Sequence, residues 1–260
     1  MPATPLPPTP TPSRRTTASI LQSVDATPDL LPHLSDLFRG IPNLGSSPAS
    51  VLRLARALGL GPTSRILELA CGKGSTTLQL ARQLGCSVTA SDAFPPFIEA
   101  ANLACRKAAL THLCSFQLAD LHKPLPFKPR TFDAALMIGF WPFDRAAQTL
   151  RTFTTRGGIY IMDDALLTSP ATSSRLSHIA TVDDAAQFIH SLGDEPLIAL
   201  PFSPASIRRM HQSLARRLAR NAATLELSHP PLRASLRAFI RRQVGASEHL
   251  TGLLRPVLLA

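Results

Sequence analysis

The chain has 260 residues, of which 45% are hydrophobic and 5% aromatic, and its formal net charge is +10. This size and apolar content allow one domain with a core built mostly from aliphatic side chains. No apolar run reaches the ~18 residues that a membrane-spanning helix requires. The N-terminus also lacks the charged-then-apolar layout of a secretory signal. These patterns argue against a membrane protein and predict a soluble, cytoplasmic one.

The cysteines, at positions 71, 86, 105 and 114, form no CxxC pair and show no zinc-ligand spacing. A long chain with so few cysteines is not typical of a disulfide framework. We therefore predict reduced thiols and no metal site.

The positive charge is concentrated near the C-terminus. Residues 201–260 contain ten arginines, no lysine and two acids, a local net charge of +8. We therefore expect the charge of this basic segment to matter for an acceptor or a partner rather than for the fold.

Residues 1–18 are rich in Pro and Thr, and their only charges are Arg14 and Arg15. Because such a composition buries little apolar surface, it predicts a disordered tail over 1–18 and a single domain over 19–260. The absence of acids before Asp25 leaves an organelle transit peptide as the alternative.

The domain begins with helical patterns and then alternates. Residues 28–60 are typical of N-terminal helices, most clearly over 48–58, where Val51 and Leu54 share an apolar face. From Arg65 onwards short apolar strands alternate with helices. This alternation predicts a parallel sheet built from right-handed βαβ units, with helices on both faces.

We expect an α/β, Rossmann-like sheet of seven strands whose last strand is antiparallel. The expected strands are 65–70, 87–91, 114–118, 132–138, 159–162, 196–201 and 253–259. Two basic amphipathic helices, over 205–221 and 233–244, form a predicted insertion and lid over 203–250.

The segment with the strongest chemical signal runs from Ile66 to Thr77, where a strand, a Gly-x-Gly turn and a helix follow one another. Gly72 permits the tight turn, and Gly74 allows close approach of the backbone to a ligand. Asp92 ends the next strand, where a carboxylate can accept hydrogen bonds from ribose hydroxyls. Glu68 would repel the pyrophosphate of a dinucleotide but suits a ligand that carries an ammonium and a sulfonium.

The run Glu68-Leu-Ala-Cys-Gly-Lys-Gly74 resembles motif I of class I S-adenosylmethionine-dependent methyltransferases, chiefly those that act on small molecules. Ala119-Asp120, Phe132-Asp133 and Gly157-Gly158 resemble later family positions, so the resemblance covers about 45–200. It implies a core over 64–163 that binds S-adenosyl-L-methionine.

This sequence departs from the family pattern at two positions. Ala70 replaces the usual first glycine of the motif, and Lys73 stands where Thr is common. We expect the charge of Lys73 to face outward.

The resemblance implies that Glu68 holds the methionine amino group, Asp92 the ribose hydroxyls and Asp120 the adenine amino group. The implied cofactor-binding set is Glu68, Ala70, Gly72, Gly74, Thr76, Asp92, Ala93, Ala119, Asp120, Met137 and Ile138. From the residues alone, each of these positions could instead serve a turn, a cap or a strand.

The acceptor is expected beyond the carboxyl ends of the strands, near the loops 139–143, 163–168 and 121–122. Asp163, Asp164, His122 and His178 are candidate general bases, although each could equally cap a turn or be solvated. Trp141 and Phe143 form either an apolar wall for the acceptor or part of the packing under the next helix.

These observations favour S-adenosylmethionine-dependent methyl transfer to a small organic acceptor. One alternative is an RNA methyltransferase that uses the arginine-rich helices, although few aromatic residues are interleaved there for base stacking. Another is a catalytically inactive, cofactor-binding interaction protein.

Overall fold

The computed structural model describes residues 13–41, 46–167, 180–197, 199–201, 204–249 and 254–259. The helices are α1 (Arg14–Ser23), α2 (Leu34–Leu37), α3 (Pro48–Ala57), α4 (Ser75–Leu84), α5 (Pro95–Lys107), α6 (Phe143–Phe153), α7 (Val182–Ser191), α8 (Pro204–Ser228) and α9 (Arg233–His249), with 3₁₀ helices at Pro28–His33 and Pro230–Leu232. The strands are β1 (Arg65–Leu69), β2 (Ser87–Asp92), β3 (Cys114–Leu118), β4 (Phe132–Met137), β5 (Thr154–Leu167), β6 (Ala199–Pro201) and β7 (Leu254–Leu259).

The strands form one sheet in the order β3-β2-β1-β4-β5-β7-β6. Strands β1 to β5 run parallel, and β7 lies antiparallel between β5 and β6. The predicted α/β fold with a parallel sheet is confirmed. The strand order reverses at β1, whose neighbours are β2 and β4, and in open sheets such a reversal opens a crevice at the carboxyl ends of the strands.

Successive side chains of β1 point to opposite faces of the sheet, and both faces are covered by helices. Ile66 packs with residues of α3 and α4, whereas Leu67 packs with residues of α6 and α7. Both side chains are fully buried. Because strand periodicity is two, Glu68 shares the face of Ile66 and points toward α4.

A third apolar cluster lies over one end of the sheet. Its helices are α1, the 3₁₀ helix Pro28–His33, α2, α8 and α9, which we call the helical cap. Phe239 of α9 is fully buried there. Phe38 contacts the rings of Phe239 and Phe97 edge-on, with centroids 6.3 and 6.2 Å apart. Since Phe94 and Phe97 follow β2, the helical cap covers the carboxyl end of that strand.

The predicted tail extends too far into the chain. Residues 14–18 are helical, because α1 starts at Arg14, where the Ser13 hydroxyl accepts a hydrogen bond from the Thr16 amide. Ile20 and Leu21 bury the apolar side of this helix. The prediction of disorder was therefore wrong for 14–18, since composition averaged over the segment concealed a capped amphipathic helix. Residues 1–12 of the predicted tail lie outside the described residues.

Strand β5 is longer at both ends than the predicted 159–162. Part of the predicted loop 163–168 belongs to it, since Asp163 and Asp164 pair with Leu258 and Val257 of β7. At its start, a side chain on Gly158 would come within 2.8 Å of the Asp133 carbonyl oxygen, so glycine permits this close approach. Strand β7, the pairing partner of β5, lies about ninety residues further along the chain, and local periodicity does not reveal such a distant pairing.

Two further features concern the described residues only. None of their helices is long and apolar enough to cross a membrane. The four cysteines are free thiols with buried side chains.

Candidate functional site

The carboxyl ends of β1 and β2 and the helical cap enclose a cavity of about 100 Å³. The predicted site residues that line it are Glu68, Ala70, Gly72, Thr76, Asp92, Ala93, Ala119, Asp120 and Ile138. The opposite wall comes from the helical cap, chiefly from the apolar side chains of Ile20, Val24, Leu34, Phe38 and Ile41. The cavity therefore has one polar, acidic wall and one apolar wall.

Glu68 is a buried carboxyl group at the end of β1, with a relative exposure of 3%. The Thr77 hydroxyl of α4 donates a hydrogen bond to it. Burial raises the pKa of Glu68 to about 7, although the Thr77 hydrogen bond acts in the opposite direction. A cation in the cavity would favour the charged form of this group.

Asp92 ends β2 and is held by two backbone amides. The amide of Gly72 donates to one carboxylate oxygen and the amide of Phe94 to the other, both at 2.9 Å. Each oxygen keeps a further lone pair for a ligand. Burial raises the pKa of Asp92. Nothing lies within 4 Å of the position that a Gly72 Cβ would occupy, so the turn leaves open space next to this carboxylate.

Asp120 connects the sheet to the helical cap. The Thr16 hydroxyl of α1 donates to one of its oxygens, and the His122 amide donates to the other at 3.0 Å. Burial acts to raise the pKa of Asp120, but these hydrogen bonds outweigh it and hold the pKa below its ordinary value. Asp120 is therefore a carboxylate at neutral pH that already has a partner from the helical cap.

Two predicted residues do not line the cavity. Gly74 has φ of +74°, and a Cβ there would lie 2.6 Å from Cε1 of Phe116. Glycine therefore avoids a clash with the Phe116 ring of β3 at this position, whereas we expected Gly74 to approach a ligand. The Met137 side chain is buried in the core on the α6 face, with 1% exposure.

Lys73 does not face outward as expected. It lines the cavity, where its Nζ donates a hydrogen bond to the Phe38 carbonyl oxygen. The same atom lies 5.3 Å from the centroid of the Phe97 ring. Burial lowers the pKa of Lys73. The outward prediction was wrong because the helical cap folds over this part of the turn.

The candidate bases Asp163 and Asp164 hold loops in place. Asp163 accepts hydrogen bonds from the amides of Ser46, at 2.8 Å, and Gly139, and burial raises its pKa. Asp164 accepts from the Phe143 amide at 2.9 Å, at the start of α6. Neither is among the residues described as lining the cavity.

The two histidine candidates are placed differently. His122 lies beside the cavity, with its ring Nδ1 3.3 Å from Asp120 Oδ1. His178 lies outside the described residues.

The aromatic residues that follow β4 lie partly at the cavity and partly in packing contacts with other side chains. Phe140 lines the cavity. Trp141 packs between the His122 ring, 5.7 Å away, and the guanidinium of Arg145, 3.6 Å away. Phe143 contacts Phe188 of α7 edge-on at 5.6 Å. The packing alternative is therefore favoured for Trp141 and Phe143.

Sequence reasoning missed the cavity wall that the helical cap provides. The signal for α1 was present, because Ile20 and Val24 recur at helical spacing after the Ser13 cap. No local pattern indicates that Thr16 meets Asp120, since 104 residues separate them.

Several C-terminal arginines anchor the helical cap. Arg217 donates to the Gly40 carbonyl oxygen at 3.0 Å, and Arg242 pairs with Asp25 at 3.1 Å. Arg233 and Arg237 both pair with Glu226 of α8. Part of the basic charge therefore has a structural role within the chain.

Comparisons with known proteins agree with this architecture. Residues 66–158 match a family model described as "Methyltransferase domain". No curated protein matches the sequence.

Several solved structures share the fold. A SAM-dependent methyltransferase from Geobacter sulfurreducens, in complex with S-adenosyl-L-homocysteine, has a TM-score of 0.74 at 15% identity, over 90% of this chain and 97% of that one. One from Thiobacillus denitrificans, also with S-adenosyl-L-homocysteine, has a TM-score of 0.71 at 16% identity, over 90% and 97%. The [4+2]-cyclase SpnF has a TM-score of 0.68 at 18% identity, over 95% of this chain and 96% of that one.

At these identities the structures establish the fold, and the presence of a cyclase among them means that the fold alone does not fix the reaction. The family model adds sequence evidence over the part of the chain that contains motif I, Asp92 and Asp120. The predicted resemblance is confirmed over residues 66–158, which match the methyltransferase-domain model, and the chain shares the fold of these solved S-adenosylmethionine-dependent methyltransferases.

Proposed function

We propose that the protein transfers a methyl group from S-adenosyl-L-methionine to a small organic acceptor. The observation that carries the proposal is the set of three acids, Glu68, Asp92 and Asp120, on one wall of one cavity. Their carboxylates match the ammonium, the ribose hydroxyls and the adenine amino group of this cofactor. A pyrophosphate-containing cofactor would be repelled by the same acids.

The chemistry of the residues fits the cofactor, but the volume requires movement. Cavities that hold small organic molecules typically measure at least about 300 Å³, whereas this one measures about 100 Å³. We therefore propose that α1 and α2 move outward to admit the ligand and then close over it.

When bound, the cofactor supplies an electrophilic methyl group. In the proposal, Glu68 holds the amino group at the end of β1, and Asp92, fixed by its two amide donors, positions the ribose. The apolar side chains of the helical cap and Phe140 exclude water from the transfer path.

The cavity has a largely apolar wall, which favours a small acceptor over a nucleic acid. Four C-terminal arginines are already engaged in contacts within the helical cap, which also argues against a nucleic-acid surface there. The cytoplasmic location stays a prediction, as do the assignments of individual site residues.

The first test is calorimetric titration of the protein with S-adenosyl-L-homocysteine. We expect Asp92→Ala to weaken binding by about 100-fold, since it removes charged acceptors worth roughly 3 kcal/mol. The control Asp133→Ala removes an exposed acid that pairs with Arg65, and it should leave binding unchanged. Absence of binding to the unaltered protein would refute the cofactor assignment.

The acceptor class is tested by incubating the protein with methyl-labelled cofactor and cell extract. Separation of small molecules, RNA and protein then locates the label. We expect label in the small-molecule fraction, and label confined to RNA would refute the small-acceptor proposal.

A further inference from the structure

A second cavity lies beside the first part of β5, on the side of α7. Its volume is about 730 Å³, within the range of about 300–1,000 Å³ that is usual for sites of small organic molecules. None of the residues described as lining it also lines the cavity of Glu68 and Asp92. The second cavity is therefore separate from the proposed methyl-transfer site, and we call it the β5 cavity.

The β5 cavity lies where the sheet is incomplete. Strand β7 pairs with β5 only from Met162 to Leu167, and within the described ranges no strand pairs with residues 154–161 on the side away from β4. One wall of the cavity is therefore the edge of a strand, whose backbone groups can form hydrogen bonds. Nothing lies within 4 Å of the position that a Gly157 Cβ would occupy, so this wall leaves room for a ligand.

The opposite wall is apolar and comes from α7 and the segment that follows it. Val182, Ala185 and Ile189 of α7 line the cavity, and so does Leu197. Leu197 is 55% exposed. An apolar group bound against this wall would remove its surface from water, which is favourable. The wall therefore suits a ligand with an apolar body.

The charged groups of the β5 cavity carry an excess of positive charge. Those that line it are Arg130, Arg151, Arg156, Asp194 and Glu195. One oxygen of Asp194 accepts hydrogen bonds from Arg151 Nε, at 2.6 Å, and from the Tyr160 hydroxyl, at 3.0 Å, so Asp194 and Arg151 satisfy each other. Arg130, Arg156 and Glu195 form no ion pair with any residue that the structure describes. Two guanidinium groups thus face one carboxyl group.

Arg130 also has an unusual backbone conformation. Its φ is +51°, which non-glycine residues rarely adopt. Its amide donates to the Thr152 carbonyl oxygen at 3.0 Å, so the end of α6 holds this conformation in place. Strained residues of this kind are found preferentially at ligand sites. The strain is thus a second observation, independent of the charge, that marks this part of the cavity.

We propose that the β5 cavity binds a small organic anion. The apolar body of the ligand lies against α7, and its carboxylate, sulfonate or phosphate group lies at Arg130 and Arg156. Glu195 opposes binding of the anion, because it carries the same sign of charge. The inference does not rest on the proposed function, since the two cavities are separate.

Two fluorescent probes with the same rings test the requirement for an anion. Anilinonaphthalene sulfonate carries a sulfonate, and phenylnaphthylamine is uncharged. Both are titrated into the unaltered full-length protein and into variants that change one charge. We expect Arg130→Gln and Arg156→Gln each to weaken the sulfonate probe by about two- to fivefold, the usual effect of a partly exposed ion pair. The double variant should weaken it by about tenfold, and the uncharged probe should change by less than about twofold.

Glu195→Gln should act in the opposite direction and tighten the sulfonate probe by about two- to fivefold. The matched control is Arg106→Gln, which removes an exposed arginine of α5 and should change neither probe. Equal effects of the arginine variants on both probes, or no effect on either, would overturn the assignment of the anion.

A second pair of variants locates the probes. Ala186 lines the β5 cavity from α7, whereas its neighbour Gln187 is exposed and is not among the described lining residues. Ala186→Phe should fill the cavity and weaken both probes by at least about tenfold, and Gln187→Phe should leave them unchanged. Thermal unfolding identifies any variant that fails to fold, and Ala186→Leu then replaces Ala186→Phe.

Competition separates this inference from the proposed function. S-adenosyl-L-homocysteine at saturation should displace neither probe, and displacement of the sulfonate probe would place it in the other cavity and overturn the β5 site. Failure of the protein to bind S-adenosyl-L-homocysteine would refute the cofactor assignment, while the charge and filling variants would still decide the β5 site.

Discussion

The edge of the parallel sheet and the helical cap contribute opposite chemistry to the same cavity. The sheet edge presents carboxyl groups, each held by hydrogen bonds from the turns that follow the strands or from α4. The helical cap presents apolar side chains such as Ile20 and Phe38, and its polar links to the sheet edge include Thr16 to Asp120 and Phe38 to Lys73. Ligand recognition is therefore local in the chain, whereas closure of the cavity depends on segments far apart.

The two regions also differ in how far an entering ligand must displace them. The sheet edge is braced by helices on both faces and can remain fixed. The helical cap has its own apolar cluster, and α1 and α2 are the part of it that we propose to move. The variants below test this division, beginning with the largest expected effect.

Phe239→Ala should destabilise the helical cap more than any other change considered. The ring is fully buried, so truncation should lower the free energy of unfolding by about 3–5 kcal/mol. Urea denaturation followed by circular dichroism measures this, with the 85%-exposed Leu227 changed to Ala as the control. A separate early transition would show that the helical cap unfolds independently of the sheet, whereas a loss below about 1 kcal/mol would contradict the packing described.

Gly74→Ala tests close packing within the sheet region. A Cβ at Gly74 meets the Phe116 ring at 2.6 Å, whereas at Gly85 the nearest atom is 3.7 Å away, and both residues have positive φ. Conformational strain alone costs about 1–2 kcal/mol, and overpacking adds about 1–3 kcal/mol. Gly74→Ala should therefore lower the urea midpoint clearly more than Gly85→Ala, and equal midpoints would show that Phe116 moves aside freely.

The pH dependence of ligand binding tests Glu68. Burial raises its pKa to about 7, so the group gains a proton as the pH falls through that value and then no longer attracts an ammonium. S-adenosyl-L-homocysteine should bind up to about tenfold more weakly at pH 6 than at pH 8. In Glu68→Gln this dependence should flatten, and a profile that stays as steep as that of the unaltered protein would assign the titration to another group.

Thr16→Val should have the smallest effect, and it should strengthen ligand binding rather than weaken it. Removing the hydroxyl breaks the contact of α1 with Asp120 and favours outward movement of the helix. A hydrogen bond of about 1 kcal/mol corresponds to roughly fivefold tighter binding of methylthioadenosine. Thr17→Val makes the same change one residue along α1 and serves as the control, and weaker binding by Thr16→Val would mean that α1 contributes to the site rather than covering it.

The sheet region could be predicted largely from local signals. Strand β1, the turn at Gly72 and helix α4 follow one another within twenty residues, and each has its own pattern of apolar residues, glycine or cap. Asp92 was identified because it ends the second predicted strand, and Asp120 was identified from the family resemblance. Parallel strands bring their carboxyl ends to one edge, which places both residues at the cavity.

The helical cap could not be predicted in this way. The first half of α1, residues 14–18, was assigned to a tail because its composition resembles that of the segment before it. The orientation of Lys73 depends on Phe38, and the length of β5 depends on β7, so both require contacts between distant segments. Local patterns carry no information about such pairings.

The helical cap joins the beginning of the described chain to its end: Asn221 of α8 donates to the carbonyl oxygens of Leu37 and Arg39. During vectorial synthesis the sheet strands β1 to β5 emerge from the ribosome before α8 and α9 exist. A nascent chain can therefore form the acidic edge of the sheet early. The apolar sides of α1 and α2 stay uncovered until α8 and α9 are present. The apolar cluster behind the cavity wall can therefore be packed only after α8 and α9 have been translated.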